Sequence, residues 1–323
     1  MAHHAPVRAI QVTEFGGPEA MRLLEMPDPV AGDGQVLIDV ERAGINNADT
    51  HQVEDSYVTS PTLPFTPGGE VAGRTSDGRH VVAFTSGGYA EKALGFAPMT
   101  FDIPDGVDAG QALALLVQGV TAWHLLKTST HMQPGESVVV HAAAGGVGTL
   151  SVQLAKLWGA GRVIATASSE EKRRLAVELG ADVAIGYDDP RGLGAALVEA
   201  NNGNKVDIVL EMVGGSVFDE SLRSLAPFGR LAFFGAAGRE LPKPVDPRSL
   251  LRHSTAIIGF WMMHCFSRPQ MIAEPLGELF ELVRTGRLKP IVGATYALAD
   301  APQAHRDLRS RGTVGKLLLD TTR

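Results

Sequence analysis

The sequence predicts an α/β protein with two domains: a small barrel of β-strands, and a parallel sheet covered on both faces by helices. The 323 residues exceed what one typical hydrophobic core accommodates. Short runs of alternating apolar and polar residues, separated by Gly- and Pro-rich turns, fill roughly the first 110 residues. From about residue 112, short apolar runs alternate with segments of helical periodicity, which is typical of a parallel sheet.

The elements of the β-rich part follow from hydrophobic periodicity. Alternating patterns predict strands at Val7–Val12, Gln35–Val40 and Arg79–Phe84. The pattern then changes, and Ala112–Leu126 has the spacing of a helix.

The remaining elements follow in a regular order. We expect helices at 274–285 and 301–310 and a final strand at 314–320 in the mixed C-terminal part. Between the β-rich part and the C-terminal part, strands and helices are predicted to alternate. The strands are at 137–141, 162–167, 183–185, 206–211 and 230–234, and the helices are at 149–158, 170–179 and 193–200.

Composition and charge exclude several functional classes. The formal net charge is −7 and there is no dense tract of Lys and Arg, which disfavours a nucleic-acid or anionic-membrane partner. No apolar run approaches the roughly 18 to 20 residues that span a bilayer, and the N-terminus lacks the apolar core of a signal peptide. Cys265 is the only cysteine, so no intrachain disulfide can form. We therefore expect a cytoplasmic protein.

A glycine-rich segment between a strand and a helix predicts a dinucleotide-binding turn. His141–Gly148 has the sequence HAAAGGVG, an A-x-G-x-x-G pattern. Small residues let the backbone approach a pyrophosphate, and the helix N-terminus offers N–H groups and a partial positive charge. We expect Gly145, Gly146 and Val147 to bind the cofactor and Gly148 to let the helix pack closely on the strand. A structural turn that binds nothing is the alternative.

The end of the next strand favours NADPH over NADH. NAD-binding versions of this motif carry a carboxylate at that strand end to hold the ribose 2′-hydroxyl. Here the segment is Ala165–Ser169, in which Ser168 can donate to a 2′-phosphate and Lys172 adds positive charge nearby. Lys172 could instead be a solvated helix cation. Glu170 and Glu171 intervene, and we expect both to point to solvent.

The residues that bind zinc in enzymes do not occur in a suitable pattern. A catalytic zinc needs about three Cys, His or carboxylate ligands, and a structural zinc usually needs several cysteines. The chain has one cysteine, and its histidines show no metal-ligand spacing. The sequence therefore predicts no metal site. It also lacks the G-x-S-x-G motif of many hydrolases.

Several segments of the chain match, in order, those of a known enzyme family. The chain resembles the zinc-free quinone oxidoreductase (ζ-crystallin-like) branch of the medium-chain dehydrogenase/reductase superfamily over nearly its whole length. The matching segments are Ala43–Asp49, Pro67–Gly73, Gly87–Glu91, Gly119–Trp123, His141–Gly148, Glu171-Lys172, Leu179–Asp182, Gly229-Arg230 and Gly315-Lys316.

The resemblance implies the fold and the assembly. It implies a GroES-like catalytic domain at 1–125 and 266–323, around an inserted Rossmann domain at 126–265. It also implies NADPH as the cofactor, a small-molecule quinone or enone as the substrate, and a homodimer. Zinc-dependent relatives have a cysteine ligand at the position of Asn46 and a histidine at the position of Gly69.

The resemblance also implies cofactor contacts. It places Tyr187 with Ser168 and Lys172 around the 2′-phosphate. The loops that pass the ribose and nicotinamide are matched by Val213, Phe234 and Gly235, and a C-terminal lysine near the cofactor is matched by Lys316.

The chain also departs from the family pattern. The family often has arginine at Val53 and glycine at Asp55, so the shape of the substrate-side loop is open. The bulky segment Phe260–His264 could line a substrate pocket, a dimer interface or a core.

Two side chains are candidates for the chemistry, and a third is a candidate for cofactor contact. Hydride transfer to an enone develops negative charge on the carbonyl oxygen, and a hydrogen-bond donor at that oxygen lowers the barrier. Asn46 is the best candidate donor, and it could also order the nicotinamide ribose or simply satisfy a turn. Tyr57 could supply a proton to the enolate, as a tyrosine does in related enoyl-thioester reductases, or be a packed loop residue. Thr121 could contact the nicotinamide carboxamide.

We therefore expect an NADPH-dependent enzyme that transfers hydride to a quinone or to the activated C=C of an α,β-unsaturated carbonyl. An enoyl-thioester reductase is one alternative. An NADPH-binding protein with little turnover is another.

Overall fold

The computed structural model describes residues 6–323, and the chain forms two compact units. The first unit consists of Met1–Val117 and Phe266–Arg323, and the second of Gln118–Cys265. The domain bounds expected from the sequence, 1–125 with 266–323 and 126–265, remain a prediction.

The first unit is built on a six-stranded sheet that closes on itself. The sheet order is β13-β14-β3-β4-β5-β6, and β3 also pairs with β6. Closure is possible because β3 is 11 residues long and changes register between Val40 and Arg42, so different parts of it face β6, β4 and β14. The strands of this sheet are β3 (Gln35–Ile45), β4 (Glu70–Thr75), β5 (His80–Thr85), β6 (Lys92–Asp102), β13 (Val292–Ala297) and β14 (Lys316–Asp320). Strands β1 (Val7–Val12) and β2 (Met21–Met26) form a separate antiparallel pair.

The core of the first unit lies inside this barrel. Side chains from both ends of the chain fill it, including Ile10, Ile38, Val71 and Leu319, each fully buried. Helices α1 (Asn47–Val53) and α10 (Ala301–Arg309) pack together beside it. Because the last strand, β14, lies against β3, the C-terminal segment is an integral part of the barrel.

The second unit is a parallel sheet of six strands in the order β12-β11-β10-β7-β8-β9. The chain runs outward from β7 to β9, then returns to place β10 on the other side of β7. In such sheets, ligands bind at the carboxyl ends of the strands where the order reverses, here between β7 and β10. The strands are β7 (Ser137–Val140), β8 (Arg162–Thr166), β9 (Val183–Ile185), β10 (Val206–Glu211), β11 (Leu225–Phe233) and β12 (Ala256–Gly259).

The predicted alternation of strands and helices is observed from β7 to β10. β12 was not predicted, since its four residues are too few to show a period, and β11 begins five residues earlier than expected. Helices α4 (Gly146–Leu157), α5 (Glu170–Glu178) and α6 (Leu193–Ala200) were predicted, whereas α7 (Gly215–Ser224) and α8 (Pro247–His253) were not; α9 (Gln270–Arg284) belongs to the first unit.

One long helix passes a length and composition test for membrane spans. Residues Ala109–Ser129 include α2 (Ala109–Leu113) and α3 (Val120–His124), with π-helical turns at Ala114–Gly119 and Leu125–Ser129. The chain has no continuous apolar run of the length that was considered in the sequence, but this helix is long and apolar enough to cross a membrane by length and composition alone. In its most apolar window it is 72% buried within the protein, as core helices of folded domains are.

Candidate functional site

The glycine-rich turn lies at the carboxyl end of β7, where the fold predicts a ligand. Gly145 is the N-cap of α4, so Gly146 and Val147 are the first helical residues and their N–H groups have no partner within the helix. A Cβ atom on Gly148 would lie 2.3 Å from the Ala142 carbonyl oxygen and 2.7 Å from the Ala143 Cα. Only glycine fits where α4 passes the turn after β7, and the resulting cradle suits a pyrophosphate.

The hydroxyl of Tyr187 stabilises this turn through hydrogen bonds. It accepts hydrogen bonds from the Ala142 backbone N–H at 2.9 Å and from Thr166 Oγ1 at 2.7 Å. Ala142 has a φ of 49°, a left-handed conformation that is unfavourable for alanine, and the bond from its N–H to Tyr187 helps to hold it. The predicted contact of Tyr187 with a 2′-phosphate stays a prediction.

A buried histidine continues the network beneath the turn. His141 Nδ1 lies 2.8 Å from Thr166 Oγ1, and Nε2 lies 2.7 Å from Ser221 Oγ. Burial lowers the pKa of His141 to about 3, so the ring is neutral at physiological pH. It therefore positions β7 against its neighbours and does not act as a cation for phosphate.

The end of β8 has the features expected for a 2′-phosphate site. Ser168 is exposed, and Ser169 caps α5 by accepting from the Lys172 backbone N–H at 3.3 Å. Lys172 is partly buried, and burial lowers its pKa against the opposing charge of Glu171. Arg173 Nη1 donates to the Ala167 carbonyl at 3.2 Å. Cationic side chains thus flank an end of the strand that carries no carboxylate.

A buried carboxylate that the sequence reasoning missed shapes the loop after β10. Glu211 is fully buried, and its Oε1 accepts from the N–H groups of Val213 at 2.7 Å and Gly214 at 3.1 Å. Burial raises the pKa of this carboxyl despite those two bonds. The Glu211 carbonyl also accepts from the Phe234 N–H at 3.0 Å. Glu211 therefore joins the loops that contain Val213, Phe234 and Gly235; the only signal in the sequence is a glutamate ending an apolar strand.

The predicted cofactor residues of the second unit thus gather at one edge of its sheet. The turn after β7, Ser168 after β8, Val213 after β10 and Phe234-Gly235 after β11 all follow the carboxyl ends of neighbouring parallel strands. Thr121 is buried on α3, which packs against α4. Its contact with a carboxamide stays a prediction.

In the first unit, Asn46 lies in a cluster of buried polar side chains. Its Nδ2 donates to Glu70 Oε1 at 2.9 Å, and its Oδ1 accepts from Lys316 Nζ at 2.9 Å. Lys316 also donates to the Ile45 carbonyl at 3.2 Å and forms an ion pair with Glu70. The three hydrogens of the ammonium are therefore all directed at oxygens of this cluster. The direct cofactor contact expected for Lys316 is untested.

The same cluster extends through Asp49 to a tyrosine and a histidine. Asp49 Oδ2 accepts from the Asn46 backbone N–H at 2.8 Å and from the Tyr89 hydroxyl at 3.1 Å, and Tyr89 lies 3.0 Å from His305 Nε2. Burial raises the pKa of Asp49 to about 6 and lowers that of His305 to about 4. Sequence reasoning found Asp49 and Tyr89 only as members of family motifs, because their partners come from distant segments.

Tyr57 lies in the segment that follows α1 and is partly buried. Near it, Asp55 has a φ of 56°, the left-handed conformation that glycine adopts most easily. The aspartate at this position therefore keeps a backbone conformation suited to the glycine of the family pattern, since Asp tolerates it better than most residues. The proton-donor role of Tyr57 stays a prediction.

Within residues 6–323, no group of three or more His, Cys, Asp or Glu side chains is arranged to hold a metal ion. Asn46 contributes an amide in place of a thiolate, and Gly69 has no side chain to offer. The predicted absence of zinc concerns the protein in solution and stays a prediction.

Comparison with known proteins agrees with this geometry. Residues 32–94 match the alcohol dehydrogenase GroES-like domain, and residues 146–280 match the family model described as zinc-binding dehydrogenase. The quinone oxidoreductase of Rattus norvegicus is 34% identical over 97% of both chains.

Two solved structures are similar over nearly the whole chain. A mycobacterial protein solved with NADPH is 38% identical, with a TM-score of 0.91 over 97% of this chain and 99% of that one. The quinone oxidoreductase of Thermus thermophilus, also solved with NADPH, is 36% identical, with a TM-score of 0.84 over the same shares. The predicted fold class, a GroES-like β-rich domain plus a Rossmann domain with a doubly wound parallel sheet, is confirmed. The chain belongs to the quinone oxidoreductase branch of the medium-chain dehydrogenase/reductase superfamily.

Proposed function

We propose that this protein is an NADPH-dependent oxidoreductase that reduces a quinone or the activated C=C of an α,β-unsaturated carbonyl, without zinc. The observation that carries the proposal is the carboxyl edge of β7 and β8. There a cradle that only glycine can form lies next to a strand end with cationic side chains and no carboxylate. Relatives with this fold are named quinone oxidoreductases, and two similar structures were solved with NADPH.

The residues present fit NADPH. The N–H groups at the start of α4, at Gly146 and Val147, would hold the pyrophosphate, favoured by the positive end of the helix dipole. Ser168 and Lys172 would hold the 2′-phosphate. Hydrogen bonds from the Lys172 ammonium to the phosphate would offset the desolvation of that ammonium by burial. The loops organised by Glu211 would pass the ribose and nicotinamide.

The chemistry of the reduction requires little from the protein besides placement and hydrogen bonding. When bound, NADPH supplies a hydride to an electrophilic carbon of the acceptor. Negative charge then grows on the acceptor oxygen, and the Asn46 amide, which does not titrate, donates a hydrogen bond to it. Tyr57 supplies the proton that completes reduction of an enone. A quinone needs no dedicated acid, because water can protonate the product.

Zinc independence is supported by the donor atoms that the chain offers. It has one cysteine in total, and at the positions where zinc-dependent relatives have ligands it has Asn46 and Gly69. Neither an amide nor a glycine is a usual zinc ligand.

An acceptor screen tests the proposal. Oxidation of NADPH and of NADH is followed at 340 nm with a benzoquinone, a simple enone and crotonyl-CoA. We expect turnover with the first two acceptors and a preference for NADPH. A preference for crotonyl-CoA would favour an enoyl-thioester reductase. Tight NADPH binding with no turnover on any acceptor would favour a cofactor-binding protein. A cytoplasmic location and a homodimer are further parts of the proposal, and sedimentation equilibrium tests the second.

A further inference from the structure

The cluster around Asn46 contains two buried charges that the reaction above does not use directly. Lys316 is 1% exposed, Glu70 is fully buried, and the two form an ion pair. Burial removes the hydration of both charges, and hydrophobic residues of similar volume often replace such a pair without loss of stability. Stability alone therefore does not account for a charged pair at this position, and its contacts indicate another role.

Both members of the pair contact opposite ends of the Asn46 amide. Lys316 Nζ donates to Oδ1 at 2.9 Å, and Nδ2 donates to Glu70 Oε1 at 2.9 Å. If the amide were rotated by 180°, its NH2 group would face the ammonium and its oxygen would face the carboxylate. Two attractive contacts would become two repulsive ones. The ion pair therefore fixes which way the amide points.

The backbone of Asn46 is also fixed by hydrogen bonds. Its backbone N–H donates to Asp49 Oδ2 at 2.8 Å, which completes the capping box of α1. Lys316 also donates to the Ile45 carbonyl, at 3.2 Å, so the ammonium ties β14 to the residue before Asn46. A Cβ atom on Gly44 would lie 2.5 Å from Glu70 Oε1, so glycine at this position leaves room for the carboxylate.

The ammonium also changes the electronic character of the amide. A cation at the amide oxygen draws electron density from the amide nitrogen, and in a dry environment hydrogen bonds in series strengthen one another. The ammonium therefore strengthens both N–H donors of Nδ2, one of which is bonded to Glu70. Donors that are oriented before the reaction begins stabilise developing charge most effectively, since they need no rearrangement.

We infer that Lys316 and Glu70 are positioning residues that orient and polarise the Asn46 amide, so that it donates to the acceptor oxygen on which negative charge develops. The inference rests on the proposed function. It gives Lys316 a role within the first unit, through Asn46, in place of a direct contact with the cofactor.

The test removes both charges together. A single substitution would leave one buried charge unpaired, which is strongly destabilising. The double variant Glu70→Gln/Lys316→Met keeps similar volumes with no charge. If it does not fold, Glu70→Leu/Lys316→Met replaces it. The control is Arg8→Met/Glu91→Gln, which neutralises a half-buried ion pair of the same unit.

We expect the double variant to lose about 10-fold or more in kcat for an enone, a part of what loss of a whole oxyanion donor causes. For a quinone we expect a smaller loss, because the product spreads its charge over a ring and two oxygens. The Kd for NADPH should stay within about 2-fold, because the change is to a transition-state contact. Equal losses with both acceptors would overturn the inference.

A mutant cycle tests whether the pair acts through Asn46. In an Asn46→Ala background, adding the two substitutions should change kcat for the enone by less than about 2-fold, because the amide is already gone. Losses that multiply would show that the pair acts elsewhere, and they would overturn the inference.

A spectroscopic measurement is independent of turnover. The chain has five asparagines, at 46, 47, 201, 202 and 204, so selective 15N-asparagine labelling gives few side-chain signals. The signal that disappears in Asn46→Ala is that of Asn46. We expect it alone to shift in the double variant and not to shift in the control. An unchanged signal would overturn the inference, whereas absence of turnover in the wild type would reject only the proposed function.

Discussion

Replacement of Lys172 by alanine is the most direct test of cofactor selection. Lys172 is partly buried in the first turn of α5, four positions after Ser168, which is exposed and follows β8. Burial lowers the pKa of its ammonium, so the charge is held at a desolvation cost that a 2′-phosphate would offset. NADH has no phosphate at this position. Removal of the ammonium should therefore weaken the binding of NADPH and leave that of NADH almost unchanged.

The magnitude follows from the kind of bond that is lost. A hydrogen bond between charged groups contributes about 1.5–3 kcal/mol. Because part of the side chain is in contact with water, the lower half of that range applies, about 1.5–2 kcal/mol. Each 1.4 kcal/mol corresponds to a factor of ten, so the KM for NADPH should rise about 10- to 30-fold.

The assay is initial-rate kinetics at 340 nm with one acceptor and either cofactor. Arg174→Ala is the matched control, since Arg174 is exposed on the same helix and lies 4.0 Å from Glu170. The control should leave both KM values within about 2-fold of wild type, as surface substitutions usually do. A Lys172→Ala variant whose KM rises equally for NADPH and NADH would refute the phosphate role.

Three further predictions concern the turn, the buried acid and the metal. Gly148→Ala should lower the melting temperature and weaken NADPH binding about 10-fold or more, because the added Cβ would lie 2.3 Å from the Ala142 carbonyl oxygen. The control is Gly277→Ala in α9, where an added Cβ would have no atom within 4 Å, and it should be neutral or stabilising. The pKa of Asp49 is raised from 3.8 to about 6 in the folded protein, so the stability gained from protonated Asp49 is present below about pH 4 and is lost as the pH rises through about 6. The side chain in Asp49→Asn cannot ionise, so this variant is the reference, and urea titrations give the free energy of unfolding of both proteins. The value for wild type minus that for the variant should fall by up to about 3 kcal/mol between pH 4 and pH 7. A difference that stays constant with pH would contradict the raised pKa. Dialysis against a chelator should leave quinone reduction unchanged and elemental analysis should find less than one zinc per chain, whereas activity that is lost and then restored by added zinc would refute the proposed zinc independence.

The local geometry of the glycine-rich turn and of the end of β8 was predictable from the sequence. The turn at residues 141–148 depends on neighbours in the chain: an apolar strand, small residues and the start of a helix. The close approach at Gly148 is the contact that the motif implies. The missing carboxylate at the end of β8 is likewise a local feature. In contrast, β12 is an edge strand of four residues whose formation depends on β11, and no period could reveal it.

The contacts of the cluster around Asn46 were not predictable in this way. Asn46 and Lys316 are 270 positions apart in the chain, and they meet only because β14 pairs with β3. Glu70 arrives from β4 on the other side of β3. The charges of these side chains are visible in the sequence, but their burial and their partners depend on closure of the barrel.

By itself the sequence determined the fold class, the order of most strands and helices, and the position of the glycine-rich turn, because these depend on periodicity and on residues close together in the chain. Tertiary structure alone decided that Lys316 and Glu70 enclose the Asn46 amide, that Asp49 is buried beside Tyr89, and that Glu211 joins two loops. The reason is physical: hydrogen bonds and desolvation act over a few ångströms in space, and residues far apart in the chain come within that range only when the strands have paired.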